Sequence, residues 1–265
     1  MWAVLALLAA GQGVASAPPA DRREMSTDRP DKTESPYTVD AGRFQIELDA
    51  ATYTRDRSGG VRAETVSVAP VNLKLGLDRT TDLHVIVEPY LRRTVTDRRL
   101  GTRETAEGLG DVTVRVKRNL WGDDDGRTAF AIMPFVTLPT SKGGLGAGKV
   151  EFGVVAPLAI ALSDRIGLGL MTELDVIEDD ATEAGGGSGY RASFVNSATF
   201  GFALTERLGM YTELFTERGE DWVVTGDVGF TYAVSDYTQL DAGANLGVTR
   251  AADDLAVFVG LSRRF

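Results

Sequence analysis

The chain has no cysteine, a single histidine (His84) and, after its first residues, no long apolar run. Without cysteine there is no disulfide framework, and with one histidine an ordinary zinc site is not expected. The missing thiols suit an oxidising compartment, although many cytosolic proteins also lack them. The longest apolar stretch, VVAPLAIAL at 154–162, is broken by Pro157 and falls short of the roughly 18 residues of a membrane helix. A dense basic face is also missing. The net charge is −10, which argues against a phosphate-backbone binder, so no nucleic-acid partner is expected. GGLGAGK at 143–149 leads from one strand-like segment to another, with no helix N-terminus for a phosphate, and DDD at 123–125 lacks the rest of a calcium loop. Both read as turn chemistry, and no cofactor is expected.

What is present begins with export. MWAVLALLAAGQGVASA gives an apolar stretch from Trp2 to Ala10 and an A-x-A site at Ala15-Ser16-Ala17, so residues 1–17 read as a signal peptide cleaved after Ala17. The usual basic residue before the apolar stretch is missing, and a mis-assigned start or a buried first strand is the competing reading. Residues 18–42 form a polar N-terminal segment, expected on the periplasmic side, in which Pro30 and Pro36 disfavour both helix and central strand. Such a segment, rich in charge and without glycine until Gly42, is expected to fold back against the periplasmic mouth, Arg29 meeting acidic lumen residues.

From Phe44 onward the pattern is alternation. RFQIELDAATYT sets Phe44, Ile46 and Leu48 against Arg43, Gln45, Glu47 and Asp49; RIGLGLMTELDV sets Ile166, Leu168, Leu170, Leu174 and Val176 against Gly167, Gly169, Glu173 and Asp175. Period two belongs to strands, with one apolar and one polar or small face each. Twelve strands are predicted, roughly at 43–54, 64–77, 82–92, 109–120, 128–139, 149–162, 166–177, 190–204, 208–216, 222–234, 237–248 and 255–265. A phase change is expected at Pro70, letting Val66 and Val68 share a face with Val71, Leu73 and Leu75. Most spans exceed the ~5–6 residues of soluble sheets and match the ~9–11 tilted residues that cross a bilayer.

Connectors alternate in length. Short ones fall at 78–81, 121–127, 163–165, 205–207 and 235–236, and mostly longer, polar ones at 55–63, 93–108, 140–148, 178–189, 217–221 and 249–254. This predicts an all-β, up-and-down antiparallel transmembrane β-barrel over 43–265, of about 12 strands, with short periplasmic turns and longer external loops. Trp121 and Trp222 sit at opposite strand ends, as in interfacial belts. Inward parity collects candidate lumen-lining residues Arg43, Glu47, Asp49, Lys74, His84, Glu88, Asp111, Arg115, Lys117, Glu151, Glu173, Asp175, Arg191, Glu213, Asp227, Asp241 and Arg264. These charges could pair across neighbouring strands and fill a narrow barrel, or line a water-filled passage.

STDRPDKTESPYTVDAGRFQIE at 26–47 and GLGDVTVRVKRNLWGDD at 108–124 resemble recurrent blocks of the outer-membrane family called "putative meta-pathway of phenol degradation". The resemblance implies a barrel, export and a transport role, and supplies no ligand motif. The chain's last residue, Phe265, resembles the terminal aromatic assembly signal of bacterial outer-membrane proteins, so outer-membrane lipid and the barrel-assembly machinery are the expected partners. A twelve-stranded outer-membrane phospholipase carries Ser and His two residues apart on a lipid-facing strand. Here Ile86 stands two residues after His84, which has lumen parity, so a triad is unsupported and no enzyme is expected. The sequence thus points to a bacterial outer-membrane channel or transporter for small solutes, aromatic or hydrophobic by family association. A structural or surface-interaction barrel with a blocked lumen is the alternative.

Overall fold

In the computed structural model, residues 23–124, 126–179 and 189–265 are described. The expected signal peptide 1–17, residues 18–22, Asp125 of the acidic run and most of the expected loop 178–189 lie outside them.

Fifteen strand segments form one antiparallel sheet: β1 (Phe44–Ser58), β2 (Val61–Val68), β3 (Val71–Asp78), β4 (Thr81–Val87), β5 (Tyr90–Asp97), β6 (Thr102–Gly108), β7 (Val112–Trp121), β8 (Thr128–Leu138), β9 (Glu151–Ser163), β10 (Ile166–Asp179), β11 (Gly189–Ala203), β12 (Leu208–Arg218), β13 (Trp222–Ser235), β14 (Thr238–Gly247) and β15 (Leu255–Arg264). The ladder runs from β15 down to β7, then through β4 and β3 to β1, and β1 pairs back with β15. The ring is closed. It has twelve staves, because β2–β3, β4–β5 and β6–β7 are each one stave in two pieces.

The breaks in those three staves lie side by side. Prolines at 70 and 89 cannot donate to a ladder, and Ala69 takes a positive φ of 58°. Across this seam β1 changes partner: Phe44–Leu48 pair with β3, and Thr52–Ser58 with β2. A bulge after Asp49 shifts the phase of β1 at the same level, where the Asp49 amide donates to the Pro70 carbonyl at 3.1 Å. The phase change expected at Pro70 is present: Ser67 and Lys74 are buried, whereas Val68 and Leu75 are exposed.

Above the seam the structure corrects two expected loops. Residues 55–63 are mostly strand, with β1 and β2 joined by a tight turn at Gly59–Gly60, and 93–108 form the hairpin of β5 and β6. Correspondingly, the fourth stave enters the ring at Val112 and has a separate upper piece, β6. These segments are charged on both faces, so apolar alternation fades although backbone pairing continues. The sequence pattern detects a buried or lipid-facing side, and a sheet bathed in water on both sides has none.

Burial is inverted relative to a soluble protein. Lys74, Lys117, Glu47, Asp82, His84 and Gln45 are among the most buried side chains, whereas Leu214, Phe194, Phe152, Trp222 and Val259 are about half exposed. Outward parity is apolar on the staves of the ring, the surface expected of a wall that faces hydrocarbon. Both termini of the ring lie at the end of the tight turns 79–80, 164–165 and 236–237, and the opposite end carries the longer 139–150 and 248–254.

Placing arginine at Leu168 or Leu214 tests the outward face. Each substitution is expected to destabilise the folded barrel in bilayers by about 2–4 kcal/mol where the position lies near the midplane. Urea unfolding in vesicles measures this, and unchanged stability of both variants would reverse the assignment of faces.

Candidate functional site: a lumen occupied by residues 23–42

The interior of the ring is filled by the chain's own N-terminal segment. Residues 23–42 run inside the ring, and Asp28, Arg29, Lys32, Glu34 and Asp40 each meet a charged group projecting from the staves. The segment rejoins the wall where the Gly42 amide donates to the Gly76 carbonyl at 2.8 Å. Gly76 is required there, since a Cβ would lie 2.1 Å from the Asp40 carbonyl oxygen.

Asp28 is the most heavily engaged residue. Its carboxylate accepts from Lys117 Nζ at 2.6 Å, lies 2.5 Å from Lys74 Nζ, and stands 3.8 Å from His84 Nδ1. Its amide donates to Glu47 at 3.0 Å, and Glu47 in turn pairs with Lys74 and accepts from Gln45. His84 hydrogen-bonds through Nε2 to Asp82 at 2.9 Å, and Asp82 also accepts from the Val39 amide at 2.8 Å. Burial pushes the Asp28 carboxyl up, but the two ammonium groups outweigh it and hold it well below the usual carboxylate range.

The next residues cross to the opposite wall. Arg29 forms ion pairs with Asp241 at 2.6 Å and Asp49 at 2.7 Å, and it occupies the space that a Cβ on Gly260 would fill. Lys32 reaches Asp227 at 3.2 Å and donates to Thr225 at 2.8 Å. Glu213 receives the amides of Lys32 and Thr33, at 3.0 and 2.8 Å, and the Thr33 hydroxyl. Glu34 pairs with Arg115. Toward the terminus end, Asp40 joins Arg23 at 2.7 Å and Arg264 at 3.0 Å, while Asp123 accepts from the Thr38 amide at 2.9 Å and pairs with Arg23.

The residues singled out from the sequence therefore divide. Glu47, Asp49, Lys74, Arg115, Lys117, Glu213, Asp227, Asp241 and Arg264 all contact the N-terminal segment, and His84 stands beside it. Lys74 with Glu47 is a cross-strand pair, but most of the set finds its opposite charge in residues 23–40. Most of the others lie toward the loop end. Glu88 accepts from Ser67 at 2.6 Å, Asp111 holds the amides of Ser141 and Ala147 in the 139–150 connector, and Glu151 accepts from the Glu178 amide. Glu173 and Asp175 sit together on β10, Arg191 packs against Gly219, and Arg43 is half-buried at the foot of β1. Two residues that matter were missed. Asp82 shares inward parity with His84, a signal open to use. Asp123 was read as turn chemistry, and its role depends on a contact 85 residues distant.

Not all of the lumen is ionic. Met133, Val155, Met171 and Val195 on β8–β11 form a buried apolar wall, with Phe135 and Phe215 against it. Lys32 lies over the Phe215 ring at 4.4 Å, and Met171 sulfur accepts from the Glu34 amide at 3.3 Å. A cavity of about 280 Å³ bordered by Thr54, Thr65, Arg93 and Asp253 lies at the loop end. Another of about 340 Å³, bordered by Thr27, Asp31, Thr199 and Tyr211, lies at the terminus end. His84 has Asn72 and Asp82 as its hydrogen-bond partners among the described residues. At the end of the chain, the Phe265 amide donates to the Phe44 carbonyl at 2.8 Å, and the two rings lie 6.2 Å apart.

Two titrations in the segment make seating depend on pH. Burial, and then the neighbouring Glu213, push the Asp31 carboxyl up to about 8. A carboxyl raised in the seated state favours seating fully below its free value of about 4, and that contribution is lost as pH rises through 8. Asp28 is depressed, so its contribution is lost only as pH falls below the ordinary carboxylate range. A spin label on Ser35 should become more mobile between pH 5 and 9, and Asp31→Asn should remove that dependence. Asp28→Asn should loosen the label at every pH, since breaking a buried pair costs about 3–5 kcal/mol. An immobile label in D28N would refute the anchoring role.

Comparison with known proteins agrees with this architecture. Among curated proteins none matches the chain. The COG4313 outer membrane channel from Pseudomonas putida F1 is similar in structure, with a TM-score of 0.66 and 12% identity, over 91% of this chain and 100% of that one. The translocator domain of the autotransporter NalP from Neisseria meningitidis gives a TM-score of 0.53 at 12% identity, over 85% of this chain and 89% of that one. At such identities the likeness is one of fold, the closed outer-membrane type of barrel. The profile of the family described as "Putative MetA-pathway of phenol degradation" matches residues 27–265, which take in both the lumen segment and the whole ring, and the chain belongs to that family.

Proposed function

We propose that the protein is an outer-membrane channel for small solutes, and that the passage opens when residues 23–42 leave or shift within the lumen. The observation that carries this reading is the pair of cavities at opposite ends of the ring, separated by a segment held through polar contacts. A lumen lined by paired charges can be rehydrated when its occupant moves, whereas a lumen filled by interlocking apolar side chains cannot. The apolar wall of Met133, Val155, Met171 and Val195 supports aromatic or hydrophobic compounds as the solute class, since thioether and aliphatic groups adapt to flat apolar rings. The similar Pseudomonas putida F1 protein is itself named as an outer membrane channel.

In this reading the signal peptide directs export, the tight-turn end faces the periplasm, and Phe265 guides assembly. The second reading, a barrel whose lumen stays blocked, draws on the number of ion pairs that fix the segment. Planar-bilayer recording separates the two. Deleting residues 18–36 should raise single-channel conductance while leaving a heat-modifiable barrel. If the deleted barrel assembles and its conductance matches the parent's, the blocked-lumen reading holds. Orientation has its own check. A protease site inserted at Gly59 should be cut in intact cells and one at Asp164 should not, and the opposite pattern would invert the topology.

A further inference from the structure

The upper sheet formed by β1, β2, β5 and β6 carries an arginine face that the channel does not use. Pairing places Arg55 opposite Glu64, Arg57 opposite Arg62, Val66 opposite Arg92 and Thr96 opposite Arg103. All of these project from the outer side, the side that lower down presents Val66, Val68 and Tyr90. The inner side of the same strands is a different surface, since Thr54, Ala63, Thr65 and Arg93 border the loop-end cavity.

Five arginines share the outer face with two carboxylates, Glu64 and Glu107. Glu64 is already engaged by Tyr53 at 2.6 Å and Arg62 at 2.5 Å, and Glu107 by Tyr90 at 3.0 Å, with Arg92 at 4.0 Å. Arg57 and Arg103 are exposed, and among the described residues neither lies within ion-pair distance of a carboxylate, although Arg103 is felt electrostatically at Glu64. Arg55 Nε and Arg62 Nε are buried with no hydrogen-bond partner. Those two Nε atoms are covered by neighbouring groups, so an outside partner would meet the exposed guanidinium ends of this face, Arg57 and Arg103 above all. The surplus is local, because the chain as a whole carries a net charge of −10.

Position points to the acceptor that these exposed guanidinium ends would meet. The arginines stand directly above an apolar band edged by Tyr53 and Tyr90, the level at which a barrel wall leaves hydrocarbon for headgroups. Arginine is suited to phosphate through its planar, bidentate donors. We infer that this face binds the phosphorylated headgroup of a glycolipid in the outer leaflet, with Arg55, Arg57, Arg62 and Arg103 as donors to its phosphates. The inference rests on the outer-membrane placement and orientation proposed above, and is independent of whether the lumen conducts.

The test uses the full folded barrel in detergent, titrated with diphosphorylated lipid A and, separately, with the same lipid stripped of phosphate. Retention of the phosphorylated form should be at least about tenfold tighter, and Arg57→Glu with Arg103→Glu should abolish the difference, because each cation near an anionic surface contributes measurably. Both side chains are exposed and make no close ion pair among the described residues, so the double variant should fold, which heat modifiability verifies. R57K/R103K should retain part of the preference. Equal retention of the two lipids, or an unaltered preference in the folded glutamate variant, would overturn the inference. Equal competition by a soluble phosphorylated sugar without acyl chains would also overturn it, in favour of a soluble polyanion. Cell fractionation is read alongside: recovery of the protein outside the outer membrane would refute the placement even where purified barrel discriminates phosphate.

Discussion

Hydrocarbon offers no partner to a backbone amide or carbonyl, and every other feature of this protein follows from meeting that constraint with strands. An open sheet leaves two edges unpaired, at several kcal/mol for each group in lipid. Pairing of β1 with β15 removes both edges of the ring, and the edge left on β6 belongs to the extension above it. Closure then fixes where side chains can go. One side of each stave must be apolar for the surroundings, so the other side inherits the polar residues, and these are among the most buried groups in the molecule.

A ring of inward charges cannot be left without partners. The N-terminal segment supplies them, with Arg29 and Lys32 for the acidic wall and Asp28 and Glu34 for the basic one. Buried ion pairs are weak as a source of net stability, because desolvation offsets most of the attraction, yet breaking one by removing a partner is expensive. Such contacts therefore determine where the segment sits more than how stable the barrel is. They also allow exchange with water, which an apolar filling would not, and the Met133–Val155–Met171–Val195 wall leaves one side of the lumen free of charge. Seating and release are thus governed by electrostatics, and barrel integrity by backbone pairing.

Much of this was legible in the chain. Alternation located the staves within a few residues, and Pro70 marked the phase change, since a residue without an amide proton cannot sit in a continuous ladder. The extension of β1 and β2 beyond the bilayer, and the β5–β6 hairpin, were not legible. Arg55, Arg57 and Arg103 alternate with Thr54, Asp56, Ser58, Thr102 and Glu104, and a strand with no apolar face carries no period to read. Asp82 obeyed the parity rule and could have been found. Asp123 could not, because it stands in a turn and acts on Thr38 from outside any strand.

By itself the sequence determined what is local: period two, the side of the wall on which each charge falls, the turns, and the surplus of inward acid. These depend on neighbours one and two residues apart, so they are written directly in the order of amino acids. Only the tertiary structure decided which partner each charge meets. Arg29 and Asp241 are separated by 212 positions, and Lys32 and Thr225 by 193. Their encounter requires the ring to close in one register and the first segment to pass through its centre. No local pattern encodes that, because the same inward carboxylate would satisfy parity equally well beside water, a lysine of the next stave or an arginine from the other end of the chain.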